Sequence, residues 1–348
     1  MSDNKMSEPP NNPVLIQWIL DTRSWFPSAA KTRDLEVHAS RPLSLLTPTE
    51  RASVLKYFHV RDARMALASA LLKRYAIARL AGVAWSSTTP GFTRDERTTK
   101  PIWRDPATGA QPVAFNVSHQ AGIVALVAVA DYPGPGAQSE AGAKVEVGVD
   151  VVCTSERRDR DQDLIRKEGW GSFVDMHADV FAMGETSYLK YQVLSAVPGL
   201  VERGGGGGPP TPEQVADGKL RAFYALWALR EAYVKLTGEA LLAEWLGELE
   251  FRYFRPSRPT PAWDVPAVET KEGEEEGEDA QVLRKFEIRF RGKKVEDVNM
   301  CLRSMGPDYM VATAVRTPED TNVGLRWRLG PYETLALDDL LNFADSAV

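Results

Sequence analysis

The sequence predicts an α+β protein of two similar lobes with a cleft between them. Apolar runs of strand length recur along the chain, separated by stretches of helical period. The two strongest helical signals, Thr47 to Ala81 and Trp227 to Leu236, fall one in each half, and each half adds several strands to its helix. With 348 residues and 43% hydrophobic content, the chain is long enough and apolar enough to fill two cores.

The first element follows a polar, proline-bearing tail at residues 1–13: Val14 to Leu20 is an apolar run that reads as a strand. Thr47, Pro48 and Glu50 then form a helix start, with threonine at the N-cap, proline at N1 and glutamate at N3. Helical period continues, with interruptions, to about Ala81, where Gly82 stops it. A Thr-, Gly- and Pro-rich loop spans Ser86 to Pro112. Two β-like runs follow, Val113–Val117 and Ile123–Ala130, on either side of an expected turn at Ser118-His119-Gln120-Ala121-Gly122. Residues 133–143 are turn-formers and read as a linker.

Val145–Val152 is a strand by composition, and a charged stretch from Glu156 to Lys167 leads to partly helical sequence over Phe173–Tyr191. Gly204–Gly208 and the acidic tract Lys271–Asp279 read as loops. Late strands are expected near Phe286–Arg291 and Tyr309–Val315. The expected organisation is a tail (1–13), an N-terminal lobe with its linker (14–143), and a C-terminal lobe (144–348) with flexible insertions near 203–212 and 268–280.

Composition excludes several classes. A formal charge of −6 argues against a nucleic-acid binder that works through a basic footprint. Cys153 and Cys301 are the only cysteines, so no disulfide framework is expected, and four scattered histidines give no zinc spacing. No run approaches the roughly 20 apolar residues that span a bilayer, and the tail lacks a secretory pattern. A cytoplasmic location is the resulting expectation.

Three segments could carry chemistry. In Trp227-Ala-Leu-Arg-Glu231-Ala-Tyr-Val-Lys235-Leu236 the helical period sets Trp227, Glu231 and Lys235 in one row, so acid and ammonium project from one side. That row reads either as a surface salt bridge or as a grip on a metal-bound phosphate. Asp150 interrupts an almost wholly apolar strand, where a bare carboxylate needs a proton or a cation; a strand-end turn aspartate is the alternative. Glu146 shares its parity but lies about 13 Å along the strand, too far to share one ion. Asp150 and Glu231 together would suffice for Mg²⁺ when substrate phosphates and water complete its shell. His119, beside Ser118 and Gln120, reads as structural or as a phosphate contact. A Ser-His hydrolase is disfavoured because adjacent residues of an extended chain face opposite ways and no G-x-S-x-G elbow occurs. Lys100 and Arg64 read as solvated cations by default. No P-loop and no G-x-G-x-x-G fingerprint is found.

Taken in order, Phe115-Asn-Val-Ser118-His119-Gln120, Val147-Gly-Val-Asp150-Val151 and Trp227-Ala-Leu-Arg-Glu231-Ala-Tyr-Val-Lys235 resemble the signature motifs of the Sfp-type 4′-phosphopantetheinyl transferases. The resemblance runs from about Thr47 to Leu249, with a weaker echo at Tyr309–Ala314. It implies a pseudo-two-fold pair of α+β lobes, monomeric, with coenzyme A bound between them. It also implies transfer of the phosphopantetheine arm to a serine of apo carrier proteins, with release of adenosine 3′,5′-bisphosphate.

By the same resemblance Asp150 and Glu231 are expected to hold Mg²⁺ (or Mn²⁺), and Lys235 to meet the pyrophosphate. Ser118 and His119 would contact the nucleotide phosphates. Lys100, in Thr99-Lys100-Pro101, and Arg64 would contact the nucleotide. The bacterial third acid is replaced by Val152; the resemblance implies a glutamine or water in that metal position, and Gln120 is the candidate. Phe181-Ala-Met-Gly-Glu185 resembles the stretch ahead of the carrier-facing segment. The insertions and long C-terminus resemble the fungal, broad-specificity type. Two other readings are a catalytically silent carrier-protein binder and a Mg²⁺-dependent phosphohydrolase acting on coenzyme A.

Overall fold

In the computed structural model, residues 13–132, 145–196, 210–239, 243–260, 263 and 281–346 are described. The expected loops at 133–143, Gly204–Gly208 and Lys271–Asp279 lie outside them. Of the expected insertion near 203–212, Thr211 and Pro212 instead open a helix, as N-cap and N1.

The chain begins with β1 (Val14–Asp21), two short helices, α1 (Leu35–His38) and α2 (Ser40–Ser44), then α3 (Pro48–Leu55) and α4 (Val60–Ala81). Thr47 caps α3 through the expected box: its hydroxyl accepts from Glu50 N–H, and Glu50 reaches back to Thr47 N–H at 2.9 Å. The helical region is interrupted between Leu55 and Val60, and Gly82 ends α4 with φ 65°. β2 (Phe92–Arg94) and β3 (Pro101–Trp103) form a small ribbon inside the region expected to be loop. β4 (Val113–Gln120) and β5 (Ile123–Ala130) make a hairpin.

The second half opens with β6 (Glu146–Cys153), followed by α5 (Arg158–Glu168), α6 (Trp170–Asp175), α7 (Met183–Tyr191), α8 (Val193–Ala196) and the long α9 (Pro212–Thr237). β7 (Leu249–Arg252), β8 (Val282–Leu283), β9 (Glu287–Phe290), β10 (Lys293–Lys294), β11 (Asn299–Met305) and β12 (Tyr309–Arg316) follow. The last described elements are α10 (Thr321–Arg326), β13 (Glu333–Leu335) and α11 (Leu337–Ser346).

The fold is mixed α/β, and its main sheets have strand orders β13-β1-β5-β4 and β6-β12-β11-β8. Strand alternation explains how they stack. On β5, Val124, Leu126, Ala128 and Ala130 pack with α4, while Ile123, Ala125, Val127 and Val129 face the other sheet. On β6 the odd positions Val147, Val149, Val151 and Cys153 join that central layer, and Val152 turns toward α9. The order is helix, sheet, sheet, helix, with three apolar layers between.

The expected boundary at 143/144 needs one correction. Residues 333–346 do not stay with the second half: β13 pairs in parallel with β1, and Leu340, Ala344 and Phe343 pack into the α4 layer, where Phe343 meets Tyr75 edge-on at 5.0 Å. Burying that amphipathic helix on the first sheet outweighs proximity in sequence.

One glycine sets the approach of β6 to α9. A Cβ at Gly148 would stand 2.1 Å from Ala232 O and 2.6 Å from Leu236 N, backbone atoms that cannot swing aside. Gly148→Ala is therefore expected to push α9 outward, cost about 1–3 kcal/mol as overpacking does, and cut activity together with stability. Urea unfolding and a turnover assay on one preparation would check this; wild-type values in both would refute the close approach.

Candidate active site

The even positions of β6 face α9, so the parity that brings Gly148 against the helix also aims Asp150 at it. Asp150 lies mid-strand, paired opposite Ala312, rather than at a strand end. On α9, Glu231 and Lys235 are one turn apart on a helix capped by Thr211 and ended by Gly238. β4 contributes the third wall. It stays paired with β5 through His119 and Gln120, so the expected five-residue turn shrinks to Ala121–Gly122, with φ 48° and 91°. A two-residue turn with positive φ at both positions matches strand twist, which is why the strands run so far. His119 is thus a strand residue, not a turn residue.

Alternation then separates Ser118 from His119, as expected. His119 contacts α4, its Nδ1 3.3 Å from Ser69 Oγ. Desolvation by the surrounding protein and the Lys235 ammonium hold the imidazole below its usual range, favouring the neutral ring. Ser118 faces β6. Lys235 Nζ donates to Asp150 Oδ1 at 2.6 Å and to Ser118 Oγ at 2.9 Å, and the Ser118 hydroxyl donates to Asp150 Oδ1 at 3.0 Å. This triangle joins β4, β6 and α9, and so ties an edge strand of each sheet to the helix.

These groups open into a cavity of about 490 Å³ lined by Ser118, His119, Gln120, Asp150, Glu231 and Lys235 at its polar end. Phe173, Met176, Phe223 and Trp227 form an apolar wall, and Arg157 and Arg160 add positive charge. Burial pushes the Asp150 carboxyl upward, opposed by Lys235 and Ser118. Glu231 is pushed up to about 7 by burial and by the negative charge of Asp150, with Lys235 pulling it back. Two carboxylates repelling each other beside one ammonium are short of positive charge, which is the donor chemistry a hard divalent cation fits. Among the described residues no cluster of three His, Cys, Asp or Glu exists, so such an ion would need oxygens from substrate and water.

Glu231 also gives a pH prediction. Its folded-state value lies above the ordinary 4.5, so the folded protein binds that proton more tightly. Its contribution favours folding fully below about pH 4.5 and is lost as pH rises through about 7. Glu231→Gln is expected to raise Tm at pH 8 and leave it unchanged at pH 4. Equal Tm shifts at both pH values would contradict the assignment.

The structure does not bring every expected residue here. Gln120 lines the cavity, but its amide oxygen accepts from Cys153 N–H at 3.1 Å and its amide nitrogen donates to Glu156 at 2.7 Å. The oxygen serves here as a tie between strands, with one lone pair left over. Lys100 and Arg64 lie outside the cavity lining. Lys100 Nζ donates to Val147 O at 3.2 Å and Leu236 O at 3.1 Å, and burial lowers it to about 8. Arg64 donates to Phe26 O at 2.7 Å and Ala29 O at 3.3 Å. Glu185, expected ahead of a carrier-facing segment, is itself buried and ion-paired with Arg230 at 2.7 Å. Sequence reasoning missed Arg157 and Arg160, exposed residues at the start of α5 that border the cavity; the only signal was a charged run, which does not say which of its side chains reach a cavity.

Acid, ammonium and hydroxyl lining one cavity with apolar side chains define a candidate enzyme site suited to an anionic substrate. Residues 24–131 match the family model described as 4′-phosphopantetheinyl transferase, N-terminal. The chain is 46% identical over 342 residues to 4′-phosphopantetheinyl transferase 1 of Fusarium mangiferae, covering 98% of this chain and 99% of that one. It is 36% identical to the 4′-phosphopantetheinyl transferase of Aureobasidium melanogenum (95% and 97% covered). Identity to 4′-phosphopantetheinyl transferase NpgA of Emericella nidulans is 33% (88% and 83% covered). The chain belongs to the 4′-phosphopantetheinyl transferase family.

Proposed function

We propose that this enzyme transfers the 4′-phosphopantetheine arm of coenzyme A to a serine hydroxyl of apo carrier proteins and releases adenosine 3′,5′-bisphosphate. The observation that carries the reading is the Lys235–Asp150–Ser118 triangle beside Glu231, at the seam of the two sheets. The two helix-backed sheets are read as pseudo-two-fold lobes, and the seam as their active cleft. Action as a monomer is part of the same reading. No helix among the described residues is long and apolar enough to cross a membrane, and two free, buried cysteines fit a cytoplasmic enzyme.

Asp150 and Glu231 are assigned as the residues that would hold Mg²⁺ or Mn²⁺, which when bound offsets the charge of the pyrophosphate. Two of the three N–H groups of Lys235 are used by Asp150 and Ser118; the third has no partner among the described residues and is assigned to the leaving phosphate. Either Glu231 or a water beside it accepts the proton of the carrier serine as its oxygen attacks the β-phosphorus. The bond from that phosphorus to the bridging oxygen breaks, and the bisphosphate leaves. His119 and Ser118 are assigned to the nucleotide phosphates. The remaining donors of Lys100 and Arg64 are assigned to the nucleotide; the buried Arg64 Nε finds no partner among the described residues. Phe173, Met176, Phe223 and Trp227 suit the thiol arm.

The test is intact mass of an apo carrier after incubation with the enzyme, coenzyme A and Mg²⁺. A gain of one phosphopantetheine unit is expected. An unmodified carrier that stays bound would support the silent binder, and coenzyme A consumed without carrier would support a phosphohydrolase. Parallel trials with acyl and peptidyl carriers would test the broad-specificity reading.

A further inference from the structure

β6 is an edge strand of its sheet, and β4 is an edge strand of the other. An edge leaves every second backbone group without a ladder partner, which is costly when the edge is buried. Here the missing ladder is replaced by side chains. Val149 N–H donates to Asn116 Oδ1 at 2.9 Å, Val151 N–H to Ser118 Oγ at 3.4 Å, and Cys153 N–H to Gln120 Oε1 at 3.1 Å. Each donor stands 33 residues after its acceptor, so the two strands run the same way in fixed register. Lys100, bonded to Val147 O, extends the series by one step.

We propose that Asn116, with Gln120, is a positioning residue for the transfer: this side-chain zipper fixes the register and height of β6 and so the place of Asp150. Asp150 lies between Val149 and Val151, and both of those amides are held by β4. Asn116 is buried and outside the cavity lining, so it acts through the strand and not on substrate. A strand held on one side only can shift or tilt, and displacement of about 1 Å at a reacting group can cost about 100-fold in rate. The consequence for catalysis rests on the function proposed above; the zipper does not.

The test compares Asn116→Ala with Asn116→Asp, which keeps the accepting oxygen. Asn116→Ala is expected to lower kcat about 10–100-fold with KM for coenzyme A within about twofold, and Asn116→Asp to recover most of the loss. Wild-type kcat in Asn116→Ala, a raised KM with unchanged kcat, or equal losses in both variants would overturn the proposal. Amide hydrogen exchange on the wild-type protein decides the zipper without any variant and without turnover. The Val149 and Cys153 amides are expected to exchange as slowly as ladder-bonded amides of β12; exchange at the rate of an open edge overturns it. A wild-type enzyme that transfers nothing would instead count against the proposed function, leaving the exchange result to stand by itself.

Discussion

Asp150→Asn is expected to leave a folded protein whose kcat has fallen at least about 10²–10³-fold, the usual cost of removing one electrostatic group from a reacting phosphate or oxyanion. The substitution keeps an oxygen that can accept from Ser118 and Lys235, so the triangle survives while its negative charge is lost. Without that charge Lys235 has no anionic partner in the triangle, and of the two proposed cation ligands only Glu231 remains. Intact-mass turnover measured alongside circular dichroism would check both halves of the statement. A variant with more than about one-tenth of wild-type kcat would remove Asp150 from the site, since a tenfold change is only about 1.4 kcal/mol.

The largest stability effect is expected at Glu185, whose side chain is fully buried against Arg230. Arg230 Nη1 donates to Glu185 Oε2 and to Leu249 O, each at 2.7 Å, and Nη2 donates to Leu246 O. The carboxylate in turn accepts from Ala182 N–H and Phe251 N–H, both at 2.8 Å. Burial raises the glutamate and lowers the arginine, each opposed by the other's charge. Glu185→Ala would leave a guanidinium almost without solvent and without an anion, which costs about 3–5 kcal/mol. Urea titration gives the number directly; a loss below about 1 kcal/mol would mean that water reaches Arg230. A Glu185→Met, Arg230→Met double variant is expected to recover only part of the loss, because the Ala182 and Phe251 N–H groups and the Leu249 carbonyl lose their partners, while Leu246 O keeps the Leu249 N–H.

How much of this was legible in the sequence depended on how local the determinant was. The Thr47 box, the hairpin strands, the strand through Asp150 and the Glu231/Lys235 row are each written in fewer than ten consecutive residues, and the structure contains all of them. The parity of β6 was also readable, since Gly148, Asp150 and Val152 share a face. Partners far away in sequence were not readable. β11 was missed despite its apolar content, and β13 is three residues long, too short for any period. Asn116 and Gln120 look like ordinary polar residues until a second strand lies beside them. His119 was misplaced because a glycine after a polar run suggests a long turn as readily as a short one.

The parallel pairing of β13 with β1, and the bond from Trp18 Nε1 to Glu333 at 2.8 Å across 315 positions, bear on synthesis. The first sheet cannot finish until residues 333–346 have left the ribosome, although its other strands emerge early. A nascent chain therefore carries β1 with one side bare throughout elongation, a template for mispairing in a crowded cell. Shortening the protein before Glu333 is accordingly expected to lower soluble yield more than it lowers the specific activity of whatever does fold.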